Sequence, residues 1–515
     1  MVALAMQMPG ALGRRRPLES LLANPAPPDT TGATYTKVSN PMASLAAPAA
    51  PSSPDPQFDA ANPHWTRLTD RAALDAIPGE DGWPIVGTTL KVLADPAGFG
   101  QRMRATYGPV YRTNSFGGRS VALMGAEANE LVLFDRQKLF SSEQGWGPVL
   151  NLLFPRGLML MDFDAHRVDR RALSVAFKPE PMRHYAGSLN AGIAARMDAW
   201  GEQAARGTFT FYPAIKSLTL DLAAESFLGL PLGPEADQIN HDFVDMVQAS
   251  VGVVRRPLPF TAMGRGVAAR KRMVAFFTRL VRERRANPGQ DMLSQFALAR
   301  HEDGSLLAED KVVDHMSFLM MAAHDTITSS ASSLVWLLAK NPEWQAKLRA
   351  EALAVTGGEG RPLAYEDLGK LELTEMAFKE ALRIMPPVPS TPRRALRDFA
   401  FGGYRIPAGT SVGISAAAVH SDPDIWPDPA RFDPMRFTPD QVAARHKYAW
   451  VPFGGGAHMC LGLHFATMQI RVLMAHLLTR YELRLPAGYE PKWQAWPIPR
   501  PKDGLKLELR PYLSD

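Results

Sequence analysis

The stretch Phe453-Gly454-Gly455-Gly456-Ala457-His458-Met459-Cys460-Leu461-Gly462 decides how the rest of the chain is read, and it holds the only cysteine of 515 residues. Cys460 lies between a glycine-rich loop and an amphipathic stretch, residues 461–481. There Leu463, Ala466, Ile470, Leu473, Leu477 and Leu478 recur at helical spacing. A thiolate just before a helix N-terminus gains from the positive end of the dipole and from unpaired backbone N–H groups. Gly454, Gly455, Gly456 and Gly462 let the backbone come close to something flat and bulky. Such a sulfur suits a metal whose other positions are filled by a cofactor. Residue type alone says less, because a free cysteine is usually a buried small hydrophobe.

The spacing Phe453-x-x-Gly456-x-x-x-Cys460-x-Gly462 resembles the haem-ligand loop of the cytochrome P450 family. The resemblance implies haem b (iron protoporphyrin IX) with Cys460 as the proximal iron ligand and Phe453, Gly454 and Gly462 beside the haem. It also implies a fold that is mainly α with a smaller β region, with a long central helix over the haem.

Composition agrees with one large catalytic body. A hydrophobic content of 46% is that of a globular protein with a sizeable core. A single cysteine excludes an intramolecular disulfide and a cysteine-ligated iron–sulfur domain, which needs about four. The net charge of +5 is spread along the chain, which reads as a docking face for an acidic partner and not as a nucleic-acid signature. No run approaches the roughly 20 apolar residues of a membrane span. Arg14, Arg15 and Arg16 are followed by Pro17 and Glu19 rather than by an apolar signal region. A cytoplasmic protein is expected.

Residues 1–60 are rich in Pro, Ala, Ser and Thr and are expected to be a disordered extension, with residues 61–515 forming one catalytic domain. Short strands are expected at residues 110–112 and 121–124, around Gly117-Gly118, and helical period dominates from 126 to 390. Extended segments follow at residues 399–401 and 412–414 and near the C-terminus at 505–509.

Residues 309–340 read as one long helix ended by Asn341-Pro342. Its middle, Met321-Ala322-Ala323-His324-Asp325-Thr326, buries polar residues that need partners, since each unsatisfied one costs about 1–3 kcal/mol. Ala322 and Ala323 lie four and three residues before Thr326, on one face, and leave a groove there. Read from the helix alone, Thr326 either bonds back to a carbonyl or reaches into that groove. The segment resembles the family's acid–Thr motif, which implies that Asp325 and Thr326 deliver protons to the oxygen being activated, with Ala322 beside the haem. Ala323 stands where Gly is usual.

Glu380 and Arg383 are three apart on one helical face, ordinarily a solvated pair of little worth. They look like the family's Glu-x-x-Arg motif, and Arg436 in Phe432-Asp433-Pro434-Met435-Arg436 supplies the Arg that completes it. The resemblance implies a Glu380–Arg383–Arg436 network that fixes the haem loop. For the two haem propionates it implies donors from His166 and Arg170 (often Trp-x-x-x-Arg), from Arg393, and from His458, where Arg is commoner.

The loops at residues 145–159, 251–263, 388–391 and 496–499 match the family's substrate side and are mostly apolar, which suggests a lipophilic small molecule of terpenoid, steroid or fatty-acyl type. Electrons are expected from a separate ferredoxin and ferredoxin reductase, steered by some of Arg167, Arg170, Arg171, Lys178, Arg183, Arg445 and Lys447. The resemblance covers roughly residues 70 to 512 and implies a haem-thiolate monooxygenase that hydroxylates or epoxidises its substrate. A hydrogen-peroxide-driven peroxygenase typically lacks the acid–Thr pair. A haem-binding sensor or carrier needs no proton relay.

Overall fold

The computed structural model describes residues 58–59, 62–230, 233–252, 254–358 and 361–512. The expected disordered extension falls outside them, apart from Phe58–Asp59, which pairs antiparallel with Asn62–Thr66.

The elements that position the site run in chain order as follows. A hairpin, β1 (Val110–Ser115) and β2 (Gly118–Leu123), comes first, then helices α1 (Glu143–Leu150), α2 (Phe163–Leu173), α3 (Phe211–Leu228), α4 (Pro234–Ser250) and α5 (Ala262–Ala286). Next come α6 (Glu309–Lys340), α7 (Glu372–Ile384), strands β3 (Thr391–Ala395) and β4 (Ser411–Ile414), and helix α8 (Leu463–Arg480). The architecture is mainly helical with a minor β part, as expected. The hairpin is longer than its apolar residues suggested because polar Thr113, Asn114, Arg119 and Ser120 also pair across it.

A six-stranded sheet has the order Gly79–Glu80, β1, β2, β4, β3, Phe140–Ser141. β4 lies parallel to β2 and antiparallel to β3, so Val121, Val412 and Arg393 stand in one row across three strands. That row carries a buried arginine at the edge of an apolar cluster of Val110, Val121, Leu123, Val412 and Ile414.

The larger core surrounds α6, whose Val312, Met316, Ala331, Leu334, Val335 and Leu338 are buried among side chains of α3, α5, α7 and α8. Each such Leu or Val contributes about 1.5–3 kcal/mol by burial. The hydroxyl-rich run of α6 stays helical because its side chains bond within the protein. Thr328, Ser330 and Ser332 each donate to the carbonyl four residues back, the back-bonding open to buried Ser and Thr. Ser329 instead donates to the Pro499 carbonyl at 2.6 Å, tying the C-terminal loop to the helix.

Candidate functional site

Cys460 closes its loop through its own N–H, which donates to the Phe453 carbonyl at 2.9 Å. Two glycines make this turn possible. Gly454 sits at φ +69°, and Gly456, at φ +59°, presses on helix 126–134 so closely that a Cβ would lie 2.1 Å from the Leu133 carbonyl oxygen. The loop then runs through Gly462 into α8. Phe453 stacks edge-on against Phe378 and Trp450.

The Cys460 sulfur is accessible, yet the protein around it pushes its thiol up, as burial does. Both hold for a side chain that faces an interior space enclosed by protein. The Gly462 N–H and Arg170 pull the other way and are outweighed. This corrects the expectation drawn from the helix terminus. In the protein alone desolvation wins over the dipole and favours the neutral thiol; a cation at the sulfur would favour the thiolate.

Around that space stand the predicted propionate donors. His166 and Arg170 project from α2, Arg393 from β3, and His458 from the loop; the rings of His166 and His458 lie 4.0 Å apart. His166 is buried and its Nε2 has no hydrogen-bond partner among the described residues. Arg393 is buried, and among the described residues its guanidinium has one hydrogen bond, to the neighbouring Pro392 carbonyl. Asp162, the carboxylate acting most on it, is occupied by Ser141 and by the backbone N–H groups of Ser142 and Glu143. Burial, then the charges of Arg170 and Arg393, pushes His166 down to about 4; burial, then His166, Arg393 and Arg170, pushes His458 to about 2; burial alone pushes Arg393 to about 10, with Asp162 and Asp135 opposing. His166 and His458 are therefore neutral N–H donors beside the cations Arg170 and Arg393, and Arg393 has no hydrogen bond to an acid among the described residues, so the group suits an anion. Together with the accessible sulfur it fits haem, whose two propionates supply that charge.

The Glu380–Arg383–Arg436 group assembles beneath the loop. Arg383 donates from Nε and Nη2 to both Glu380 oxygens at 2.7 and 2.8 Å, with both side chains fully buried. Arg436 Nε lies 3.4 Å from Glu380, whose Oε1 also accepts from the Asp433 N–H. Arg383 Nη1 donates to the His420 carbonyl, and His420 Nε2 accepts from the Val451 N–H two residues before Phe453. His420 is the link that sequence reading missed. Nothing in the spacing from 383 to 420 to 451 announces it.

His420 is held neutral, its value pushed down to about 3 by burial and then by Arg383. His476, which accepts from Arg480 and meets Asn190, is lowered to about 4. The unfolded chain takes up these protons near 6.5, so the stability present above that pH is lost as pH falls. The expected result for His420→Gln is an acid limb shallower than wild type by about 1.4 kcal/mol per pH unit below 6.5, read from urea midpoints at pH 7.5, 6 and 5. Parallel curves would show that native His420 already takes the proton.

On α6 the Thr326 hydroxyl donates to the Ala322 carbonyl at 2.7 Å, the first of the two possibilities open from sequence. Its lone pairs remain free to accept a hydrogen bond. Asp325 is only slightly exposed, with His324 Nδ1 at 3.1 Å and Lys216 Nζ of α3 at 3.8 Å. Burial raises its carboxyl, but His324, Lys216 and Arg500 outweigh this and leave it below the usual range. Lys216 and Arg500 lie far away in sequence, so no local spacing points to them, whereas His324 is the motif's own neighbour of Asp325. Ala323, His324 and Ile327 share a small cavity with Phe465 and Gln469 of α8, which brings the two key helices together.

Of the cations expected to steer a partner, Arg167, Arg171 and Arg183 pair with Asp164, Glu302 and Glu366. Arg445 lies on the Trp426 ring and Lys447 near Tyr448. Arg170 turns towards Cys460.

A family model described as Cytochrome P450 matches residues 77–509. The chain is 36% identical over 446 residues to a putative cytochrome P450 136 of Mycobacterium tuberculosis, covering 85% of this chain and 89% of that one. It is 30% identical over 451 residues to a beta-amyrin 28-monooxygenase of Solanum lycopersicum, with 84% and 93% covered. The solved structure of a retinoic acid-bound cyanobacterial CYP120A1 superposes with a TM-score of 0.77 at 30% identity, over 85% of this chain and 99% of that one.

Proposed function

Because the chain belongs to the cytochrome P450 family, and is therefore a haem-thiolate monooxygenase with haem b as cofactor, we propose that it oxidises a lipophilic small molecule of terpenoid type with electrons from a separate ferredoxin system. The observation that carries this reading is the accessible Cys460 sulfur beside the donors His166, His458, Arg170 and Arg393, of which His166 and Arg393 are buried and Arg393 has no hydrogen bond to an acid among the described residues. When bound, haem supplies dioxygen activation at its iron. In this reading Cys460 would hold its iron, and His166, Arg170, Arg393 and His458 would hold its propionates. Phe453, Gly454, Ala322 and Gly462 would form its walls.

The chain's own chemistry is then proton handling and substrate placement. Asp325, ionised at neutral pH, takes up a proton from the Lys216 side and passes it to water in the groove. Thr326 Oγ1, its hydrogen committed to Ala322, accepts from that water and fixes its position. The acid–Thr pair favours a monooxygenase over a peroxygenase or a carrier.

Two relatives carry beta-amyrin and retinoic acid in their names, both isoprenoid in build, which supports the substrate class. No helix among the described residues is long and apolar enough to cross a membrane, in keeping with a cytoplasmic location. Lys178 and Lys447 are the partner-facing cations in this reading, and the weak surface pairs of Arg167, Arg171 and Arg183 are open to exchange. Residues 61–515 act as one catalytic domain.

The test is the absorption of the purified protein, ferric and then reduced under carbon monoxide, followed by turnover with a ferredoxin, its reductase and dioxygen. A strongly red-shifted Soret band and product that depends on the reductase are expected. A histidine-like CO complex, or equal product with peroxide alone, overturns the reading.

A further inference from the structure

The loop between α4 and α5 carries a cation that no carboxylate among the described residues answers. Arg255 Nη1 donates to the Ser250 carbonyl at 2.7 Å, and Nη2 donates to the carbonyls of Pro148, at 3.0 Å, and Val149. These are the C-terminal ends of α4 and α1, so one guanidinium bridges two elements. Of its five N–H donors, the three bonds leave two without an acceptor among the described residues. No carboxylate among those residues pairs with it, and burial pushes its value down with nothing opposing.

The two segments that it bridges carry exposed apolar side chains: Val149 and Leu152 on one, Val251, Val254 and Leu258 on the other. Exposed apolar residues on the two segments joined by a half-buried cation mark a recognition site for an amphipathic anion. The site also stands close to the cofactor cradle. In α1, Gly145 packs on the Arg393 backbone, so that a Cβ there would lie 2.8 Å from its nitrogen. Val149 is four residues on, about 6 Å along the helix.

We propose that Arg255 is a specificity-determining anchor for the carboxylate of the substrate, which makes the substrate a lipophilic monocarboxylic acid. This rests on the monooxygenase reading above and narrows its substrate class. A lipid surface would be met by several splayed cations, each worth about 1 kcal/mol. Arg255 is instead turned onto backbone carbonyls that set its fork for one anion.

The experiment is a Soret titration of the haem-loaded protein with two matched pairs, farnesoic acid and its methyl ester, and hexadecanoic acid and its methyl ester. At least one acid is expected to bind about tenfold more tightly than its ester. Arg255→Gln brings that pair to within about twofold, whereas Arg256→Gln, at an exposed neighbour, keeps the preference. Arg255→Lys, which retains charge but not the fork, keeps part of it. Each variant is compared only if its reduced CO band matches the parent's; loss of that band in the parent means that the haem-thiolate reading has failed, not the anchor.

Several results overturn the anchor. They are an ester that binds as well as its acid, a preference unchanged in Arg255→Gln, and no binding of either acid by protein with the thiolate band. A fall in melting temperature with an unchanged ratio would make Arg255 a helix cap only. Loss of co-sedimentation with phosphatidylglycerol vesicles, with the ratio unchanged, would make this face a lipid-binding one.

Discussion

Glu380→Gln is expected to destabilise the protein by about 3–5 kcal/mol and to leave it largely without haem. The substitution keeps the volume and removes the charge. Arg383, as fully buried as Glu380, then has no counter-ion, and the amide presents N–H groups to a fork that is itself all donors. Burial already pushes Glu380 up in spite of two guanidiniums, so desolvation is a large cost that the network only offsets. The damage should travel. Arg383 also holds the carbonyls of His420 and Pro429, and His420 holds Val451. A lowered urea midpoint together with a lowered haem-to-protein ratio is the expected pair of readings. A variant that loads haem like the parent would show that the cysteine loop is held by something else.

Asp325→Asn is expected to do the opposite: stability and haem content stay near the parent's, while product formation falls by about 100-fold and reducing equivalents go to peroxide instead. Positioned acid–base groups contribute 10²–10⁴-fold. Asparagine can still meet His324 and Lys216 but cannot take up and release a proton. The contact with Lys216 at 3.8 Å is long, so the carboxylate can swing without breaking a tight bond. The measurement is product formed per reducing equivalent at saturating substrate. Unchanged coupling would remove Asp325 from the relay.

These two residues show how differently parts of the site can be read. Glu380 and Arg383 are three apart on one helix, so their contact follows from helical period alone. Their complete burial does not, since most such pairs are solvated. Only the packing of α7 against the Pro434–Phe437 turn and the loop around Trp426 removes water from them.

The sequence by itself determined the identity of the sulfur, the extent of α6, the turn glycines and the family. All of these depend on local order: spacing, caps and backbone freedom. Tertiary structure decided the electrostatics. It set the thiol of Cys460 high where the helix terminus alone argued low, because the desolvating atoms come from distant parts of the chain. It brought Lys216 and Arg500 to Asp325 and set Arg255 on carbonyls, with no acid beside it among the described residues. The physical reason is that a charge responds to everything within several ångströms, and folding draws those neighbours from all along the chain.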